Sequence, residues 1–126
     1  MILDTNALSA FAEGNQSVRE FIAAASGPCL PVIVIGEYRF GLLASRERER
    51  RLQWLGDLAR HWAILQISAE TAAAYAEIRG QLKQRATPIP SNDAWIAALA
   101  VQHQLPILSN DRHFDAVASV QRLNWF

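Results

Sequence analysis

Met1-Ile2-Leu3-Asp4-Thr5-Asn6 opens with three apolar residues and then three polar ones of the type that caps helices; Ala7-Leu8-Ser9-Ala10-Phe11 follows at once. A short apolar strand passing through an N-cap directly into a helix is the first unit of an α/β chain with a mainly parallel sheet. The same alternation recurs downstream. Ser17 to Ala25 reads as a helix with Val18, Phe21 and Ile22 on one side, Ser26-Gly27-Pro28 breaks it, and Cys29-Leu30 suits a short buried strand. Pro31 to Leu43 admits two readings, since Val32 to Ile35 has strand propensity and Glu37 to Leu43 helical character. A helix starting near Pro31 is favoured, because it puts Ile33, Glu37 and Phe40 on one apolar stripe.

Ser45 to Leu58 reads as a charged helix and Ile64 to Ile67 as a strand. Ala72 to Ala86 reads as a long helix behind a loose capping box at Ser68 to Thr71. Ser91 is expected to cap a helix from Asn92 to Gln104. Leu105 to Leu108 is a further strand, His113 to Ala116 a short helix, and Val120 to Leu123 a last strand. No repeat or low-complexity linker interrupts this order, so residues 1–126 are expected to form one domain.

Composition narrows the classes. With 51% hydrophobic and 19% charged residues the chain has ample apolar surface to fold on. Its single cysteine, Cys29, excludes an internal disulfide framework or a thiolate-based zinc site and suits core packing. The longest apolar stretch, Cys29 to Ile35, contains a proline and falls far short of the ~20 residues of a membrane span. No basic, apolar leader opens the sequence, and the expectation is a cytoplasmic protein. Twelve Lys and Arg against 12 Asp and Glu give zero net charge, without the usual basic signature of a nucleic-acid binder.

Four acids fall at telling places. Asp4 ends the first strand and Asp111 lies just past Ile107-Leu108, the carboxyl ends where open parallel sheets bind ligands. Asp93 sits in the first turn of its helix on the stripe of Ile96, Ala97 and Ala100, and Glu37 lies on the stripe of Ile33 and Phe40. Each has an ordinary explanation taken alone: Asp4 and Asp111 as helix caps, Asp93 as a favourable charge at a helix N-terminus, Glu37 as surface. Together they describe a crevice of mutually repelling carboxylates, which a divalent cation with a preference for hard oxygen ligands, Mg²⁺ or Mn²⁺, would relieve.

Four segments in order, Ile2-Leu3-Asp4-Thr5-Asn6, Glu37 within Val34-Ile35-Gly36-Glu37-Tyr38-Arg39-Phe40-Gly41, Asn92-Asp93-Ala94-Trp95-Ile96-Ala97-Ala98, and Leu108-Ser109-Asn110-Asp111-Arg112-His113-Phe114, resemble the PIN-domain ribonucleases. The resemblance is closest to the VapC toxins of bacterial toxin–antitoxin pairs. It implies an α/β, PIN-like fold, a central mainly parallel sheet flanked by helices. It also implies an endoribonuclease that hydrolyses RNA phosphodiesters with water activated by Mg²⁺ or Mn²⁺. Carried over by position, Asp4, Glu37, Asp93 and Asp111 are the metal-binding, catalytic acids, and Asn6 and Ser109 support them. Asp115, four residues beyond Asp111, leaves open which of the two is the fourth acid. The implied partners are RNA, a cognate VapB-like antitoxin and a second copy of the chain, with helices around residues 31 to 58 as the dimer interface.

Arg39 and Arg112 are candidates for contact with substrate or antitoxin. Arg46-Glu47-Arg48-Glu49-Arg50-Arg51 reads first as a solvated helix laced by an i, i+4 pair of Glu47 with Arg51. Trp54, Trp62, Trp95 and Trp125 suit core or a dimer surface better than base stacking. His61 and His103 read as helix-end residues, and no histidine is needed as nucleophile or base; His113 adjoins the site in sequence. The rival readings are an inactive PIN-fold interaction module and a structure-specific DNA nuclease. If metal neutralises four of the 12 acids, eight remain against 12 bases, and the neutral total ceases to exclude RNA.

Overall fold

The computed structural model describes all 126 residues. Strand β1 (Ile2–Leu3) leads into helices α1 (Thr5–Ala12) and α2 (Gln16–Ala24), then β2 (Cys29–Pro31), α3 (Val32–Gly41) and α4 (Arg48–His61). Strand β3 (Ala63–Leu65), helices α5 (Ala69–Gln84) and α6 (Ser91–His103), β4 (Ile107–Leu108), a 3-10 turn (Arg112–Ala116) and β5 (Arg122–Leu123) complete the chain. All strand pairs are parallel, in the order β3-β2-β1-β4-β5. The chain winds outward from β1 to one edge and returns to β4 on the other side, so the strand order reverses between β1 and β4. A reversal of this kind leaves an open crevice beyond the carboxyl ends of those two strands.

Ile2, Leu3, Leu30, Ile107 and Leu108 are fully buried, as strands covered on both faces require. Helix α6 supplies Ala94 and the unbroken run Ile96 to Ala100 to the same core, and Leu8, Val18 and Phe114 close it. Small alanines let α6 lie close against α5. Cys29 is buried in this core, Trp125 is buried at its edge, and Phe11 packs between Trp54 and Trp62. No helix is long and apolar enough to cross a membrane.

Local signals account for most element ends. Ser68 and Thr71 form a reciprocal capping box at the start of α5. Asn15 accepts the Val18 amide to start α2, and Gln104 ends α6 in the left-handed conformation at φ 55°. Pro31 ends β2, and its fixed φ launches α3 one residue later than a first-turn proline would. Ser91 is the first residue of α6, with Pro90 in the capping position, and makes no cap hydrogen bond. Gln66 and Ile67 lie beyond β3 and are exposed.

One expectation about α3 is corrected. Ile33, Glu37 and Phe40 do share a side, but it is not the buried one: Ile33 packs only partly against the core, and Phe40 is 77% exposed. The buried stripe is Val34, Tyr38 and Leu42, an i, i+4, i+8 set whose phase follows from where Pro31 releases the chain. Glu37 therefore lies half-buried at the rim of the crevice.

Candidate active site

Asp4 leaves the end of β1 and enters α1, and its two carboxylate oxygens perform different tasks. Oδ1 accepts the Thr5 amide at 2.8 Å, which is the helix cap. Oδ2 accepts the Ser109 hydroxyl at 2.8 Å and the Asn6 amide nitrogen at 3.0 Å. The capping and the functional reading of Asp4 thus hold together. Asp4 is 4% exposed, and burial pushes its carboxyl above the usual range; hydrogen bonds from Ser109 and Thr5 oppose that shift, and the charges of Glu37 and Asp111 add to it.

Ser109 and Asn6 tie the two central strands together at the crevice. The Asn6 side chain donates to Ser109 Oγ at 3.1 Å and accepts the Asn110 amide at 3.2 Å, while Ser109 Oγ accepts the Asp111 amide at 2.9 Å. The loop after β4 is thereby held so that Asp111 stands beside Asp4. Asp111 Oδ1 in turn caps the 3-10 turn by accepting the His113 amide at 2.9 Å.

Asp93 reaches the same place from the first turn of α6, almost fully buried. Burial is the main cause that raises its pKa from 3.8 to about 6; a hydrogen bond from His113 opposes this, and the negative charges of Asp4 and Asp111 add to it. A carboxyl that resists ionisation, buried in a crevice among other carboxyls, is a candidate functional group.

The cation-capable group already there is His113. Its Nδ1 lies 3.0 Å from Asp93 Oδ2 and 3.2 Å from Asp111 Oδ2, so a protonated Nδ1 donates into both carboxylates. The hydrogen bond to Asp93 is the main cause that raises the His113 pKa. Ligand atoms of Asp93, Asp111 and His113 all lie within 4.8 Å of one another, a spacing from which one metal ion can be held. The sequence places His113 beside the site but does not pair it with Asp93 and Asp111. The available signal was its position two residues after Asp111, where a turn folds the ring back over the acid that caps it.

Glu37 stands at the rim. Its Oε1 accepts the Thr5 hydroxyl at 2.9 Å and its Oε2 the Asn92 side-chain amide at 3.3 Å. Thr5 and Asn92 are the sequence neighbours of Asp4 and Asp93, so the glutamate is tied to both. Neither was singled out from the sequence, although each lies inside a quoted segment. No Lys or Arg forms an ion pair with Asp4, Glu37, Asp93 or Asp111, which leaves an oxygen-rich donor set suited to a hard divalent ion.

Asp115 is placed elsewhere. Arg122 grips its carboxylate with two hydrogen bonds of 2.8 and 3.1 Å, which holds its pKa below the usual range. The same guanidinium donates to the Ser109 carbonyl at 3.2 Å, so the pair braces the loop of Asp111 from outside the crevice. Arg39 and Arg112 are exposed and carry no ion pair.

A polar cleft of about 330 Å³ adjoins the acids, lined by Thr5, Ser9, Glu13, Glu37, Glu47 and Arg51 among others. Arg51 is consumed by its neighbours: it pairs with Glu47 at 3.1 Å and donates to the Ala12 carbonyl.

Residues 1–120 match the PIN domain family. The chain is 33% identical over 92 residues to Ribonuclease VapC4 of Mycobacterium tuberculosis, covering 71% of each chain. It is 30% identical over 125 residues to Ribonuclease VapC5 of the same organism, covering 95% of this chain and 91% of that one. The crystal structure of VapBC-5 from Mycobacterium tuberculosis, a member of the VapBC family of toxin-antitoxin systems, superimposes with a TM-score of 0.77 at 27% identity, over 98% of this chain and 96% of that one. An all-parallel sheet with its acids gathered at the β1–β4 reversal, matched along nearly its whole length by these relatives, makes the chain a member of the PIN-domain family, in its VapC branch.

Proposed function

We propose that this protein is a divalent-metal-dependent endoribonuclease and the toxin of a toxin–antitoxin pair. The observation that carries the reading is the convergence of Asp4, Asp93 and Asp111, with Glu37 at their rim, at the point where the strand order reverses. The relatives' designation as VapC ribonucleases supports the same substrate class.

The donor set fits a bound Mg²⁺ or Mn²⁺. Asp4, Asp93 and Asp111 would hold the ion, with Glu37 reached from the rim; when bound, the ion supplies a water of lowered pKa and offsets charge on the phosphodiester. The chain's own contribution is positioning. Ser109 and Asn6 fix the rotamer of Asp4, Thr5 and Asn92 fix Glu37, and His113 Nδ1 bridges Asp93 and Asp111 until a cation takes its place. Burial keeps bulk water from Asp4 and Asp93, so once ionised these carboxylates would attract a bound cation more strongly than surface acids do.

The solved VapBC relative supports an antitoxin as partner. The outward side of α3, with Phe40 77% exposed and Leu43, just past the helix end, 56% exposed, suits a second copy of the chain, in line with the interface expected around residues 31 to 58. The test is cleavage of RNA by purified protein freed of any partner, in Mg²⁺ or Mn²⁺. Asp4→Asn and Asp93→Asn should each abolish it while leaving the fold intact. Full activity in either variant refutes the site.

A further inference from the structure

The surface carries two clefts of opposite character, one lined in part by Glu37 and the other tied through Arg79 and Ser91 to the helix that bears Asp93. On the α1–α3–α4 side, Glu13, Glu37 and Glu47 line the polar cleft and its only cation, Arg51, is already neutralised. On the α5–α6 side, a cleft of about 440 Å³ is lined by Arg79, Gly80, Leu82, Lys83, Ala86, Pro88 and Ile89, with no carboxylate among them. A polyanion crossing the acids is repelled from the first and attracted to the second.

Arg79 is built differently from the other cations of the chain. Arg50, Arg51, Arg60 and Arg122 have carboxylate partners. Arg79 has none, yet it is fixed in place: Nη1 donates to the Tyr75 hydroxyl at 2.9 Å and to Ser91 Oγ at 3.2 Å, and the guanidinium carbon lies 5.5 Å from the Tyr75 ring centre. Tyr75 is itself stacked on Trp95, with ring centroids 3.8 Å apart. Neutral acceptors and an aromatic face order the side chain while leaving its charge uncompensated and its Nε–Nη2 edge without a hydrogen bond. That edge is the fork that binds a phosphate in bidentate fashion. Ser91, which helps hold it, begins the helix that delivers Asp93. Lys83, one turn further along α5, adds a second positive charge to the same cleft.

We infer that the Arg79–Lys83 cleft is the subsite that holds the RNA backbone where it leaves the acid cluster, with Arg79 clasping a phosphate outside the bond to be cleaved. This rests on the ribonuclease reading above and gives the bound strand a direction: it leaves the acids toward α5, away from Glu13 and Glu47.

The experiment measures binding of a short fluorescein-labelled single-stranded RNA by anisotropy in EDTA, across a KCl series, and cleavage of the same RNA in Mg²⁺. Arg79→Ala should weaken binding about tenfold and reduce the slope of log K against log salt by about 0.7, the value for one lost single-strand phosphate contact. Arg79→Lys should keep most of the slope and still bind more weakly, since an ammonium cannot form the fork. In cleavage, KM should rise with kcat retained, an outcome a loss of structural support would not give. Arg60→Ala, on the far end of α4, should change neither quantity. Should Arg79→Ala fail to fold, Arg79→Lys and Lys83→Gln carry the same test. Wild type that cleaves RNA while all cleft variants keep its affinity and slope overturns the subsite and leaves the ribonuclease reading standing. Wild type that neither binds nor cleaves RNA overturns both. Variants that lose self-association or antitoxin capture with RNA binding unchanged make the cleft a protein surface and overturn the proposal.

Discussion

Replacing Asp93 by Asn should destroy activity and stabilise the metal-free fold, and the second effect depends on pH in a way the site dictates. The folded-state pKa of about 6 against 3.8 corresponds to about 3 kcal/mol. Solvent reaches part of the carboxylate, and the same charges are screened by salt, which reduces the expected effect to about 1–2 kcal/mol. The sign follows from which state holds the proton. Below pH 3.8 Asp93 is protonated whether folded or unfolded, and Asn, its isostere, is neutral in effect. As pH rises through about 6 the unfolded chain has already released the proton while the folded one gives it up reluctantly, so wild-type stability falls. The Asn variant lacks that loss. Thermal unfolding in EDTA should give matching midpoints near pH 3.5 and an advantage for Asp93→Asn of about 3–8 °C at pH 8. Adding Mg²⁺ at pH 8 should raise the wild-type midpoint and leave that of the variant almost unmoved. A variant less stable than wild type at pH 8, or a difference that does not vary with pH, refutes the account of Asp93 as a carboxylate held at a cost for the sake of a cation.

Asp111→Asn should lower RNA cleavage at least 100-fold and Asp115→Asn only a few-fold, since Arg122 already occupies the second carboxylate; equal losses in a cleavage assay contradict this assignment. The stabilisation that Mg²⁺ confers should be smaller at pH 5.5 than at pH 8, because protons compete for Asp93 and the cation must displace His113 from between two acids; calorimetric titration at the two values measures it. Phe40→Asp on the exposed side of α3 should shift sedimentation toward the monomer with the thermal midpoint little changed, as the residue packs on nothing in the chain itself. Thr71→Val should cost about 1–3 kcal/mol in urea unfolding, since it leaves Gln102 and Ser68 without their fully buried partner.

What could be read from the sequence was set by local rules. Asp4, Asp93 and Asp111 were legible because each sits where an apolar strand ends or a helix begins, and caps and strand ends are decided within a few residues. The parallel sheet followed from the repeated passage of strand into helix. The side of α3 that meets the core was not legible, because both Ile33-Glu37-Phe40 and Val34-Tyr38-Leu42 are helical stripes. Choosing between them depends on the angle at which Pro31 leaves β2. His113 and Arg122 escaped for a related reason. Their roles depend on how the segment after β4 turns, which brings one ring back over Asp93, 20 residues earlier, and sends one guanidinium to Asp115 and the Ser109 carbonyl. Such contacts are fixed by tertiary packing and leave no periodic trace.

The neutral net charge acquires its meaning only once the charges have positions. Two aspartates, Asp93 and Asp111, are drawn together around His113, Asp4 is held beside them by Ser109 and Asn6, and a further three acids, Asp57, Asp115 and Glu47, are neutralised by arginines along the surface. The cations left without a carboxylate include Arg39 and Arg112 as well as Arg79 and Lys83. Charge of one sign is thus concentrated in a crevice, where desolvation makes it costly, and charge of the other is spread on surface where it costs little. A divalent ion entering the crevice removes the source of repulsion at the point where a phosphate must approach, and leaves the cations beyond it unopposed. On the proposed reading, metal binding and RNA binding would be coupled through electrostatics without movement of the backbone: each should strengthen the other by the same factor, as linkage requires. An RNA affinity that is unchanged between EDTA and a non-catalytic divalent ion such as Ca²⁺ would contradict that coupling, even if every residue at the site were correctly assigned.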